Sequence, residues 1–256
     1  MMDSTHDVAE PGVQQHSIVR SIVLHLLPGV LILVFFVFAA PLLDNLGAPS
    51  FMALLLAIAL VLIPFELGYL LHKGKKRNGA FSLEGIVLYR QPMPWWQYIV
   101  LSVPLFLWAG LAMTVVSPAI DSFLIDSLFA WLADWFFIAG FAENLEQYTR
   151  SALILTAILN VVLNGLAGPI VEELYFRGYL LPRMARLGRW APLVNSLLFS
   201  FYHSFTPWQN VGRLLAFVPL YYAVWWKRNI YLGMIVHCAG NLVGALMMLA
   251  LVLGLA

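Results

Sequence analysis

Seven apolar stretches divide the chain, at about 19–40, 51–71, 96–117, 151–176, 191–205, 210–226 and 230–255. A helix needs roughly 20 such residues to cross the hydrocarbon of a bilayer. The pattern therefore predicts an all-α, polytopic transmembrane helix bundle of about seven spans. The fifth and sixth runs are short and require little tilt or help from flanking residues. Connections are brief except at 72–95 and 118–150. In the second of these, Ser122, Asp126, Ala130 and Asp134 recur every fourth residue among Phe, Leu and Trp. That spacing draws one polar line down a helix and predicts an amphipathic helix over 121–142, lying at the outer interface. The expected organisation is a cytosolic tail (1–18), N-terminal transmembrane helices (19–120), an extracytoplasmic loop holding the interfacial helix (121–149) and a core (150–256).

Composition agrees with a membrane domain, because 62% of residues are hydrophobic and only 11% charged. A soluble domain could not cover its surface with so few polar groups. A net charge of +1 gives no reason to expect a nucleic-acid partner. The single cysteine, Cys238, rules out a disulfide within the chain and any multi-cysteine metal cluster. Asp3, Asp7 and Glu10 stand where a cleavable signal would be basic, so the first apolar run reads as a retained anchor.

Charge also orients the chain. Lys73, Lys75, Lys76, Arg77 and Arg90 follow the second run, Arg177, Arg183, Arg186 and Arg189 follow the fourth, and Lys227 and Arg228 follow the sixth. With a cytosolic N-terminus all of these face the cytosol. Asp44, Asp121, Asp126, Asp134, Glu143 and Glu146 then lie opposite, with Arg150 and Arg213 as the cations there. This is the asymmetry of the positive-inside rule and places the protein in the cell membrane as a multi-pass protein.

Against this apolar background, Glu172 and Glu173 stand out. An ionised carboxylate at membrane depth costs about 2.5 kcal/mol or more. Asn160, Asn164, Gly168 and Glu172 repeat at intervals of four, a stripe that Pro169 interrupts by removing an N–H beside the Gly165 carbonyl. Glu173 and Arg177, at i and i+4, can pair along the helix. Glu172 is then turned about 100° away and free to face a cavity. His203 follows Phe199 by one turn, and His237 and Asn241 share another helix face beside the small residues Gly233 and Gly240. Counting from the nearest cations at about 1.5 Å per residue, Glu172, His203 and His237 lie roughly 16, 21 and 14 Å deep. A common layer follows.

A carboxylate, two imidazoles and a carboxamide have a hydrolytic use. Glu and His can hold and deprotonate a water, and a second His with an Asn can donate to an oxyanion. Alternatively Glu172, His203 and His237 could bind a divalent metal such as zinc. Spacing alone leaves both open.

The order Glu172-Glu173-x-x-x-Arg177, Phe199-x-x-x-His203, His237-x-x-x-Asn241 resembles the three motifs of the CPBP family, the CAAX prenyl endopeptidases and bacterial Abi or bacteriocin-processing relatives. The resemblance covers about 150–255. It implies an intramembrane endopeptidase, metallo- or glutamate-dependent, acting on a membrane-associated or C-terminally lipidated peptide. By position it implies that Glu172 and His203 activate water and that His237 and Asn241 stabilise the oxyanion, with Glu173 and Arg177 in support.

Other classes remain on the table. A non-catalytic scaffold or bacteriocin-immunity protein would keep the motifs for packing. A coupled transporter would use Glu172 as an ion site, though the chain lacks paired repeats. Among the remaining polar residues, His25 and His72 read as packing groups, Cys238 as a small buried thiol, and Glu66 has no partner in the pattern. Trp95, Trp96, Trp190, Trp225 and Trp226 near run ends read as an interfacial belt.

Overall fold

The structure, a computed structural model, describes residues 12–138 and 145–255. Asp3, Asp7, Glu10, Glu143 and the last residues of the 121–142 stretch lie outside the described residues. Seven helices account for the seven apolar runs: α1 (Ile18–Asn45), α2 (Phe51–Asn78), α3 (Trp95–Phe129), α4 (150–190), α5 (Ala191–Tyr202), α6 (Asn210–Lys227) and α7 (Ile230–Leu253). No β-strand occurs among the described residues.

Five continuous helical stretches are long and apolar enough to cross a membrane: α1, α2, α3, the α4–α5 run Arg150–Tyr202, and α7. Seven is thus an approximate count. α5, with 12 residues, continues from α4 and is too short to span alone. Gly188, at φ 53° and ψ −134°, breaks the helical path between them, in a region that a side chain would disfavour.

One expectation changes. Residues 117–129 do not begin a separate interfacial helix; they prolong α3 in a single 35-residue run. Asp121 and Asp126 therefore ride on α3, while Asp134 falls in a short 3₁₀ turn beyond it. The four-residue polar period is real, but nothing in the sequence between Leu111 and Phe129 stops a helix. Pro118, inside this run, lacks an N–H to bond back, and the wide turn over Ala112–Val116 immediately precedes its segment.

Two ends of the bundle are tied differently. At one end, Gln15 Nε2 donates to the Pro182 carbonyl, His16 N to Arg183 O, Leu88 N to Gly178 O and Ile230 N to Tyr89 O. These bonds gather the start of α1, the 79–94 connection, the end of α4 and the α6–α7 turn, and with them most of the chain's cations. At the other end Thr149 N donates to Gly47 O. Asn229 organises the cationic end: its Oδ1 caps Leu232 N, and its Nδ2 donates to Gln91 O and Tyr98 Oη at 2.8 Å.

The centre is aromatic. Phe176 meets Phe199 and Tyr202 with ring centroids 5.0 Å apart, and the His25 ring at 5.5 Å. His25 is a packing group as expected, with Nδ1 2.6 Å from Ser21 O and Nε2 2.9 Å from Asn195 Nδ2. His72, by contrast, is exposed at the cationic end. α1 and α5 come into close backbone contact. A side chain at Gly29 would collide with the Tyr202 carbonyl, and Ser204 Oγ donates to Gly29 O at 3.4 Å. Outward, Phe38, Trp95, Leu107, Val115 and Met247 are exposed apolar groups of the kind lipid covers.

Candidate active site

α4 carries the acids, and its geometry follows from its turns. The helix widens to π-type hydrogen bonding over Asn160–Ala167 and again over Glu173–Leu180, with an ordinary α segment, Gly168–Glu172, between. Pro169, in the first turn of that segment, has no N–H to offer, and the Gly168 N–H reaches back five residues to Leu163 O. Wide turns of this kind re-aim side chains and recur at functional sites.

Glu172 and Glu173 diverge as the helix requires. Glu173 turns into the packed interior and is fully buried. Its Oε1 lies 3.5 Å from Arg177 Nη1 and 3.1 Å from His237 Nδ1. Gly233 on α7 makes room, since a Cβ there would strike Glu173 Oε2. Arg177, also fully buried, lies across ring faces, 4.0 Å from the Phe199 centroid and 3.6 Å from that of Tyr221. Such contacts replace hydration that the guanidinium lacks at this depth.

Glu172 faces a cavity of about 500 Å³. His203 Nε2 stands 3.9 Å from its Oε1, and His237 Nε2 stands 3.7 Å from its Oε2. His203 closes α5 and is held by Phe199 O, 2.9 Å from Nδ1. A carbonyl can only accept, so Nδ1 carries the proton and Nε2 presents a lone pair toward Glu172. His237 is fixed the same way, with Glu173 as acceptor at Nδ1. Asn241 lines the same cavity, and its Nδ2 donates to Asn164 O at 2.9 Å. Asn164 Nδ2 in turn donates to Asn160 Oδ1 at 2.9 Å, so the polar stripe on α4 becomes a bracket for α7. Glu172, His203, His237 and Asn241 are thus gathered around one cavity, while Glu173 and Arg177 stand behind it.

The two imidazoles and the carboxylate also raise the question of metal binding. Among the described residues, no three His, Cys, Asp or Glu side chains are grouped as a metal ion requires. Glu172, His203 and His237 are close, each ring lying nearest a different oxygen of the carboxylate.

Three further residues at the site were given no role in it by the sequence reading. Glu66 on α2 is fully buried and interacts electrostatically with Glu172, Arg177 and Tyr202. The Tyr202 hydroxyl interacts with both Glu66 and Glu172 without completing an ordinary hydrogen bond to either. Arg213, which the charge pattern placed outside the membrane, is buried in the cavity wall, bonded to Thr206 Oγ1, Gln209 Oε1 and Asn210 Oδ1. The signal for Glu66 and Arg213 was their charge inside or beside apolar runs. Two other assignments differ: Gly240 meets no neighbouring helix and faces the cavity, and Cys238 is half-buried outside it.

Residues 154–243 match the family described as type II CAAX prenyl endopeptidase, Rce1-like. This region is Rce1-like. The match agrees with the resemblance carried by the three motifs, and its range contains Glu172, Glu173, Arg177, His203, His237 and Asn241. No curated protein and no solved structure matches the chain. The apolar helices indicate a multi-pass membrane protein, and the matched region is similar to a family of membrane proteases.

Proposed function

We propose that the protein is a glutamate-dependent intramembrane endopeptidase that hydrolyses a peptide bond in a membrane-associated or C-terminally lipidated chain. The observation that supports this best is Glu172, set in the cavity between two imidazole nitrogens at 3.7 and 3.9 Å. Those gaps exceed direct hydrogen bonds but suit a bridging water. A water about 2.8 Å from both Glu172 Oε1 and His203 Nε2 would subtend about 90°, close to its own bond angle. Both partners are acceptors, so its two protons point at them and an oxygen lone pair is left toward the cavity.

In this reading the water oxygen bonds to the substrate carbonyl carbon as its proton passes to Glu172. Charge moves to the carbonyl oxygen, where an N–H of Asn241, beside His237, receives it. Glu172 then passes the proton to the leaving amine as the C–N bond breaks. Glu173 orients His237 by accepting its Nδ1–H, and Arg177 holds Glu173. The cavity walls, with Ile58, Leu62, Phe106 and Met113, favour a substrate with an apolar portion such as a prenyl chain. The cationic end faces the cytosol, with the N-terminus.

The test is turnover of a prenylated C-terminal peptide by the purified chain in liposomes, with mass spectrometry to locate the cleaved bond. Wild type cleaves, Glu172→Ala does not, and both melt at similar temperatures; a chelator leaves the rate unchanged. Equal turnover by the folded Glu172→Ala protein refutes the mechanism.

A further inference from the structure

A second pocket, of about 320 Å³, opens at the cationic end. Its walls carry Arg20 from the first turn of α1, Lys73, Lys76 and Arg77 from the end of α2, and Arg183 from α4. Five cations and no acid line it among the described residues. Among the described residues no carboxylate comes within ion-pair distance of any of the five. Their known partners are neutral. Arg77 donates to Gly85 O, Arg183 donates to Tyr179 O at 2.8 Å and stacks on that ring at 3.8 Å, and Lys73 lies over the Tyr69 ring.

Repulsion among like charges held this close is unfavourable unless an anion relieves it. A second, independent observation points the same way. His16 is 2% exposed and lines this pocket, yet its Nδ1 has no hydrogen-bond partner. Burial and then the neighbouring Arg20 and Arg183 push its pKa down to about 3, so the ring is neutral and can offer one N–H. A buried polar nitrogen without a partner in a roomy polar pocket calls for a ligand atom. Arg183, buried and fixed by Ile86 and Tyr179 carbonyls, cannot swing out to bulk water to find one. The pocket also adjoins the N-terminus of the 28-residue α1, where helix N–H groups favour negative charge.

We infer that this pocket is a binding site for a phosphate group, with Arg20, Lys73, Lys76 and Arg183 as its cationic donors and His16 at its floor. Arginine forks and lysine ammonium groups are the side chains that take phosphate oxygens. A basic pocket between helix ends at the cytosolic side suits an anionic lipid headgroup, and a free phosphate shares the same chemistry. The site is separate from the cavity that holds Glu172 and does not depend on what that cavity does.

The test uses the full chain in neutral detergent and reads melting temperature against added probe. Short-chain phosphatidylglycerol is expected to raise it saturably, and short-chain phosphatidylcholine, with no net charge, is not. Lys73→Gln/Lys76→Gln, which alters exposed or half-buried side chains, weakens half-saturation about tenfold or more. Arg20→Gln provides an independent second variant. Inorganic phosphate giving the full shift identifies a free phosphate ligand, and a shift with the lipid alone identifies a headgroup. Equal shifts with both lipids, or an unchanged midpoint in both variants, overturn the inference.

Discussion

α1–α3 and the Rce1-like region contribute to one cavity in different currencies. The C-terminal region supplies Glu172, His203, His237 and Asn241, each on a recognisable spacing. The N-terminal helices supply mostly apolar wall, such as Ile32, Ile58 and Met113, with no motif. Yet Glu66, a fully buried acid that interacts electrostatically with Glu172, comes from α2. A region without a signature can therefore shape the electrostatics of a site whose chemistry is spelled out elsewhere in the chain.

That contrast can be broken first at Glu172. Glu172→Gln keeps shape and burial while removing the base, and peptide turnover is expected to fall about 10²–10⁴-fold. Wild-type turnover would mean that the C-terminal region does not hold the chemistry. Glu173→Gln, one residue on, should act mainly on stability. It leaves Arg177 buried without its counter-charge and is expected to cost about 3–5 kcal/mol, read as a lower melting temperature; Glu173→Gln/Arg177→Met should recover much of it. A Glu173→Gln protein as stable as wild type would show that the pair is not structural.

The comparison sharpens at Glu66. Glu66→Gln is expected to lower kcat about tenfold, or about 1.4 kcal/mol, with the fold intact. Unchanged kcat would reduce α2 to wall. Asn164→Ala removes the acceptor bracket behind Asn241 only in part, because the backbone oxygen of residue 164 stays. A loss of about fivefold in kcat follows, the worth of one modest hydrogen bond. At the small end, exposed His72→Ala should change stability by no more than about 0.5 kcal/mol.

The apolar runs were legible because hydrocarbon thickness sets a minimum length that local sequence must meet, and all seven became helices. Where they stop was less so. The 117–129 segment joined α3 because its polar residues occupy one face without offering a stop, and side-chain period does not mark where one helix yields to the next. The separate orientations of Glu172 and Glu173 followed from helix geometry alone. Glu66 did not, since its neighbours Glu172 and Tyr202 come from α4 and α5, more than 100 residues away in the chain, and only packing brings them together. Arg213 was misplaced because a charge near a run's end reads as solvent-facing, whereas Thr206, Gln209 and Asn210 supply its acceptors indoors.

The contact at Gly29 carries one more implication. Tyr202 is the residue just before His203, and its carbonyl rests where a side chain at position 29 would be. α1 thus works as a calliper on the hinge of His203. Even one methyl group at that point would wedge the jaws apart and set the ring farther from its acid, acting from a residue that does not line the cavity.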